Sequence, residues 1–309
     1  MVGDYKFMET FRLFLTDYTL QIVSLGSALL GIVSAVIGSF AVLRQQSLLG
    51  DAVSHAALPG IALAFMFTQR KETAVLLLGA LITGLLAALL VIIIDRYSRI
   101  KFDSALALVL SVFFGGGLVL LTYLQKIPNA NQAGLDKFIF GQASTLLKSD
   151  INTILVVGLI IILTVIFFWK EFKIISFDPE FAESMGFSRR KLTLLLSGLL
   201  VAAIIIGLQT VGVILMSSML IAPGVAARQW TNKLSMMLIL AAFFGGVSGL
   251  IGTVLSSSIT HMPTGPTIII VISIFVLLSL IFAKNRGILW KLINQKKMKK
   301  DKNSISKGD

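Results

Sequence analysis

The sequence predicts an all-α fold: a polytopic membrane bundle of eight or nine transmembrane helices. Three observations predict it. Of the 309 residues, 56% are hydrophobic and only 14% are charged, where a soluble domain carries about a quarter charged residues. The mean hydropathy is +0.92. Apolar runs of spanning length, about 20 residues, recur along nearly the whole chain.

Residues 1–19 are mixed in character. Phe7, Met8, Phe11, Leu15 and Tyr18 fall near one helical face, which suits an extracytoplasmic interfacial helix. No cleavable signal peptide is evident, because the first apolar run is itself long enough to span. Spans are expected near 20–43, 48–67, 74–94, 104–124, 151–169, 192–208, 210–227, 234–255 and 267–283. The sixth and seventh form one stretch broken only by Gly207-Leu208-Gln209-Thr210. A hairpin there gives nine spans, and one long helix gives eight. The longest loop, 125–150, contains a run at 138–147 that is too short to cross and either dips partway in or lies flat. Residues 284–309 form a basic tail. Phe113-Phe114-Gly115-Gly116-Gly117 and the Gly245/Gly249 pair carry the small residues that let membrane helices approach closely.

Charge orients the chain. With nine spans, twenty of the 27 Lys and Arg residues fall on one side and seven on the other. The positive-inside rule makes the richer side cytoplasmic, with the N-terminus outside and the C-terminus inside. Eight spans would put either the tail or the early loops on the wrong side, so the bias favours the hairpin. The same distribution accounts for the net charge of +12 without invoking nucleic acid. Cysteine is absent, which removes disulfides, thiolate metal sites and cysteine nucleophiles.

The chemistry concentrates in Leu48-Leu49-Gly50-Asp51-Ala52-Val53-Ser54-His55-Ala56-Ala57-Leu58-Pro59-Gly60. Asp51 and His55 are four apart, so a helix presents them on one face. Each ionisable group costs roughly 2.5–3.5 kcal/mol at membrane depth on insertion scales, so two together point to function. An oxygen and an imidazole nitrogen suit a divalent transition metal. The plainer reading has Asp51 capping a helix and His55 bonding a backbone carbonyl; the doubled cost favours the ligand pair. Pro59-Gly60 permits a kink or a break one turn later. His261, in the outer loop Thr260-His261-Met262-Pro263-Thr264-Gly265-Pro266, either meets an incoming metal or is an ordinary exposed histidine.

A second signal lies in Ser176 to Phe187. Asp178 is an N-cap, Pro179 occupies the first turn, Glu180 and Glu183 sit near the positive end, and Gly186 stops the helix. Phe181 and Met185 make one face apolar. Two turns of helix are marginal alone in water. The segment must therefore dock, either on its own membrane domain or in a groove of a cytosolic partner. An energy-transducing subunit fits that partner, because the chain has no G-x-x-x-x-G-K-[ST] loop.

Leu49-Gly50-Asp51-Ala52-Val53-Ser54-His55-Ala56, the Asp178-Pro179-Glu180 helix ending at Met185-Gly186, Val211-Gly212-Val213 through Ala222-Pro223, and Pro263-Thr264-Gly265-Pro266 together resemble the permease subunit of bacterial metal-ion ABC transporters, the manganese, zinc and iron importers. The resemblance runs from about residue 20 to 283. It implies a homodimeric permease in the bacterial cytoplasmic membrane, a separate cytosolic ATPase subunit and an extracytoplasmic metal-binding protein. It implies that Asp51 and His55 line the metal path, that 178–186 is the coupling helix, and that the metal is substrate, with no resident cofactor. Relatives often carry an acidic residue where His261 stands. The Gln132–Ala143 stretch looks most like the manganese and iron members.

Three functions compete on the residues alone. An ATP-driven importer subunit uses both the Asp51/His55 pair and the docking helix. A proton-coupled secondary transporter uses the pair as a relay and leaves the helix unexplained. An intramembrane enzyme would use the pair as acid and base, but it lacks a nucleophile, and an Asp–His pair alone is thin evidence for catalysis.

Overall fold

The structure is a computed structural model that describes residues 17–69, 72–126, 146–259 and 262–291. Eleven helices occur among them: α1 Tyr18–Leu43, α2 Leu48–Thr68, α3 Thr73–Tyr97, α4 Phe102–Lys126, α5 Lys148–Phe167, α6 Trp169–Phe177, α7 Pro179–Ser184, α8 Arg189–Val211, α9 Val213–Trp230, α10 Leu234–Ser258 and α11 Thr264–Phe282. Eight of them are long and apolar enough to cross a membrane; the 18-residue α9 packs among these. His261, the 138–145 part of the outer-loop run, residues 1–16 and the tail beyond 291 lie outside the described residues.

α1 is the axis of the bundle. Asp17 opens it, its Oδ1 accepting from the backbone N–H groups of Thr19 at 2.8 Å and Leu20 at 3.3 Å, which satisfies two of the free donors at a helix start. Its small residues bring backbone against backbone. A Cβ on Gly31 would overlap the Gly245 carbonyl of α10, and one on Gly249 would meet the Ser27 carbonyl. The expected small-residue packing of Gly245 and Gly249 is therefore a contact with α1.

The chain reverses at Gly212, two residues past the expected Gly207–Thr210 break, which is helical and belongs to α8. Gly212 has φ +82° and ψ 167°, a region open essentially to glycine alone. Beyond it, Met216 packs on Gly207 and Leu30, Leu220 on Gly38, and Gly224 on Ser39. α9 thus runs back beside α8 toward the end of α1, where Arg44 reaches Thr193 in the first turns of α8. The two helices form the hairpin that the charge bias requires, and its physical cause is a single glycine, which a search for polar breaks overlooks.

α5 ends at Phe168, and α6 turns away to carry α7. Phe172 of α6 is fully buried and meets Phe40 of α1 edge to face, with centroids 5.9 Å apart. This contact fastens the α6–α7 unit to the end of α1.

Candidate functional site: a carboxylate–imidazole pair and an exposed short helix

α2 runs unbroken from Leu48 to Thr68 through Pro59, so the permitted break does not form. Pro59 and Gly60 instead serve packing. A Cβ on Gly60 would overlap the Gly79 carbonyl and the Thr83 hydroxyl of α3, and one on Gly117 of α4 would sit 2.9 Å from the Pro59 ring. Close approach on two sides makes α2 a rigid platform.

On that platform Asp51 lies in the first turn and His55 one turn further. His55 Nε2 is 3.6 Å from Asp51 Oδ1, with His55 18% and Asp51 40% exposed. That separation is too long for a hydrogen bond. The N-cap position belongs to Ser47, which makes no side-chain cap bond, so Asp51 does not cap the helix. His55 Nδ1 is buried and, among the described residues, has no hydrogen-bond partner; no backbone carbonyl takes it. The ring is held by Phe114 of α4, edge to face at 4.6 Å. Neither plain reading of the pair matches this geometry. Asp51 Oδ1 and His55 Nε2 thus stand near one another on partly exposed side chains without a hydrogen bond between them.

The spacing can hold an ion. With donor–metal bonds of about 2.1 Å, a 3.6 Å gap corresponds to an angle of about 120° at the metal. Among the described residues no cluster of three or more His, Cys, Asp or Glu side chains converges, so those residues bring two candidate ligands to this point. Phe114 is a neighbour that the residue pattern does not single out. Its signal is the spacing to Gly117, three residues on and on the same helical face, which packs on α2.

α7 forms as its residues dictate. Asp178 Oδ1 accepts from Phe181 N–H at 2.9 Å, and Pro179 occupies the first position. At the far end Phe187 N–H donates to the Ala182 carbonyl and Gly186 N–H to the Glu183 carbonyl, each at 3.0 Å, with Gly186 at φ +86°: a Schellman stop. Only Ala182 of α7 is buried. Phe177, Phe181 and Met185 are 58%, 53% and 55% exposed. Phe181 and Met185, four apart, give α7 a mostly exposed apolar edge, and Phe177 ends α6 just before it.

With this architecture, residues 16–283 match the model of the ABC 3 transport family. The chain belongs to that family. A member from Treponema pallidum, named zinc transport system membrane protein TroC, is 48% identical over 93% of this chain and 96% of its own length. One from Bacillus subtilis, named manganese transport system membrane protein MntC, is also 48% identical over 91% of this chain, which spans 64% of that protein's length. Among solved structures, a chain of PsaBC from Streptococcus pneumoniae in complex with Fab superposes with a TM-score of 0.80 at 31% identity, covering 91% of this chain and 97% of the other. Family membership accounts for the fold and for a transport role.

Proposed function

We propose that this chain is the membrane-spanning permease subunit of an ATP-driven importer of divalent metal ions, with manganese favoured and zinc or iron as the alternatives. The observation that carries this reading is the Asp51–His55 pair: one oxygen and one nitrogen donor, 3.6 Å apart and partly open, on a rigid transmembrane helix. Such a mixed set accepts manganese, iron or zinc, and the relatives named above are named for zinc and for manganese.

Two ligands hold an ion loosely, which suits a path that must release it. Two chains about a twofold axis would supply two carboxylates and two imidazoles, with waters completing the shell. The face beside the pair suits a second copy, since Gly115 and Gly116 of α4 have no neighbour within 4 Å. Residues 20–283 form the permease domain in this reading. The N-terminal segment lies outside, the basic tail lies in the cytoplasm, and an extracytoplasmic binding protein delivers the ion, with His261 a candidate for the handover. The exposed stripe of α7 engages a cytosolic ATPase subunit, through a helix bounded by Asp178, Pro179, Glu180, Glu183 and Gly186. That stripe is what disfavours proton-coupled transport, which has no use for it.

The test is metal uptake by proteoliposomes. Asp51→Ala and His55→Ala should each abolish uptake while the folded protein is retained. A covalently linked tandem dimer with one mutated copy should keep at most a small residual activity. Full activity of that linked dimer would show that each chain conducts alone.

A further inference from the structure

Arg44 follows the last residue of α1 and points into a cavity of about 690 Å³ at the end of the bundle that carries α7. Its Nη2 donates to Thr193 Oγ1 at 3.0 Å. Its Nη1 is buried and has no partner among the described residues. Arg96, Arg189 and Arg190 line the same cavity, and among the described residues Asp95 and Glu183 are the carboxylates on its wall. Neither carboxylate makes an ion pair with any of these arginines among the described residues. The start of α8 also faces the cavity through Ser188 and Arg189, adding the positive end of a 23-residue helix.

This arrangement is unfavourable without a further group. Guanidiniums cannot shed their charge at neutral pH, and burial, then the nearby Arg189, push Arg44 down to about 10. A buried cationic donor with an empty valence calls for an anion, and the planar fork of arginine matches phosphate oxygens two at a time. The wall is not wholly polar: Ile92 of α3 and Phe102 of α4 close one side. Both lie at ends of membrane helices, where a headgroup and the first part of an acyl chain can reach. Basic pockets between helix ends are a known way to hold anionic lipid headgroups.

We propose that this cavity binds a phosphate-bearing anion between Arg44 and Arg189, and that its resident is the headgroup of an anionic phospholipid. Bound there, it would join the loop that leads into Asp51 to the segment that follows α7. The site is separate from the metal path and does not depend on the cargo.

The experiment is native mass spectrometry of the full-length purified chain with phosphatidylglycerol or phosphatidylcholine at equal concentration, alongside thermal unfolding with inorganic phosphate. Wild type should retain phosphatidylglycerol at least fivefold over phosphatidylcholine. Arg189→Gln with Arg190→Gln, both exposed positions, should bring the ratio near one. Arg44→Lys, which keeps the charge and loses the fork, should fall between, and a variant that unfolds leaves the exposed pair to decide. Inorganic phosphate that stabilises the protein equally and abolishes the lipid preference would overturn the lipid assignment and leave a soluble phosphate as the anion. Equal retention of both lipids with no phosphate effect would overturn the site. Loss of ATPase-subunit capture in the double variant with phosphatidylglycerol retention unchanged would assign the arginines to a protein carboxylate, and would also overturn it.

Discussion

Replacing Phe177, Phe181 and Met185 together by alanine removes the exposed apolar side chains on and beside α7 and leaves Asp178 and Gly186 intact. The magnitude follows from exposure. Full burial of a Phe or Met side chain is worth about 1.5–3 kcal/mol. These three are 58%, 53% and 55% exposed, so docking on a partner would bury the remaining half of each, about 1 kcal/mol apiece and about 3 kcal/mol together. At about 1.4 kcal/mol per factor of ten, the triple variant should bind the ATPase subunit about 150-fold more weakly. The assay is titration of the purified ATPase subunit onto permease in nanodiscs, with thermal unfolding of the permease alone as the control. Because each of these side chains is more than half exposed in its own chain, the unfolding temperature should move little. An unchanged dissociation constant would refute the docking role. A fall of several degrees in the unfolding temperature would show that the stripe packs on its own membrane domain.

Three further outcomes are expected. Gly212→Ala forces a side chain into φ +82°, ψ 167° and should cost about 1–3 kcal/mol, read as a lower melting temperature in detergent; an unchanged melt would show that the α8–α9 reversal does not need glycine. Gly60→Leu should abolish recovery of folded protein, because the atoms it meets include the Gly79 backbone, whereas Gly115→Leu, with no neighbour within 4 Å, should leave the chain's own melt unchanged and reduce uptake by blocking a second copy; equal stability of both variants would contradict the packing described for α2. In the cysteine-free chain, an impermeant thiol reagent applied to intact cells should label Gly3→Cys and spare Ser304→Cys, and the reverse pattern would invert the topology.

Much of this architecture is legible in sequence because a membrane leaves few choices. Backbone polar groups in hydrocarbon must pair internally, so a 20-residue apolar run is a helix whatever its neighbours. The caps of α7 are legible for a local reason: Asp178, Pro179 and Gly186 act within one or two turns of themselves, and they form as their chemistry requires. What the sequence hides depends on distant residues. Gly212 stands in the Val211-Gly212-Val213 motif, but its role as the turning point emerges only from the packing of Met216 on Gly207, which shows that the chain has turned back. Pro59 suggests a break, but the neighbouring α3 and α4 hold α2 continuous around it. The i, i+4 rule puts Asp51 and His55 on one face, while Phe114 comes to the imidazole through the tertiary contact at Gly117. In a topology argument Arg44 counts only as one positive charge. Its unsatisfied nitrogen emerges only when α8 closes over it.

The two candidate regions are also mechanically connected. α7 cannot move alone, because α6 is anchored by Phe172 on Phe40, and both rings are fully buried. Phe40 lies near the end of α1; Arg44 follows, tied to α8 through Thr193, and Asp51 stands in the first turn of the next helix. A push on the α7 stripe therefore reaches the carboxylate through one aromatic contact and a short connection. His55, one turn further, is held instead by Phe114 from α4. Both donors stand on the one continuous helix α2, so a displacement that reaches either end of it carries the pair as a unit past Phe114. Within that unit only side-chain rotation can alter the 3.6 Å spacing, and no hydrogen bond between the two groups opposes it. In a metal path, that is the condition for an ion to be held in one state and released in the next.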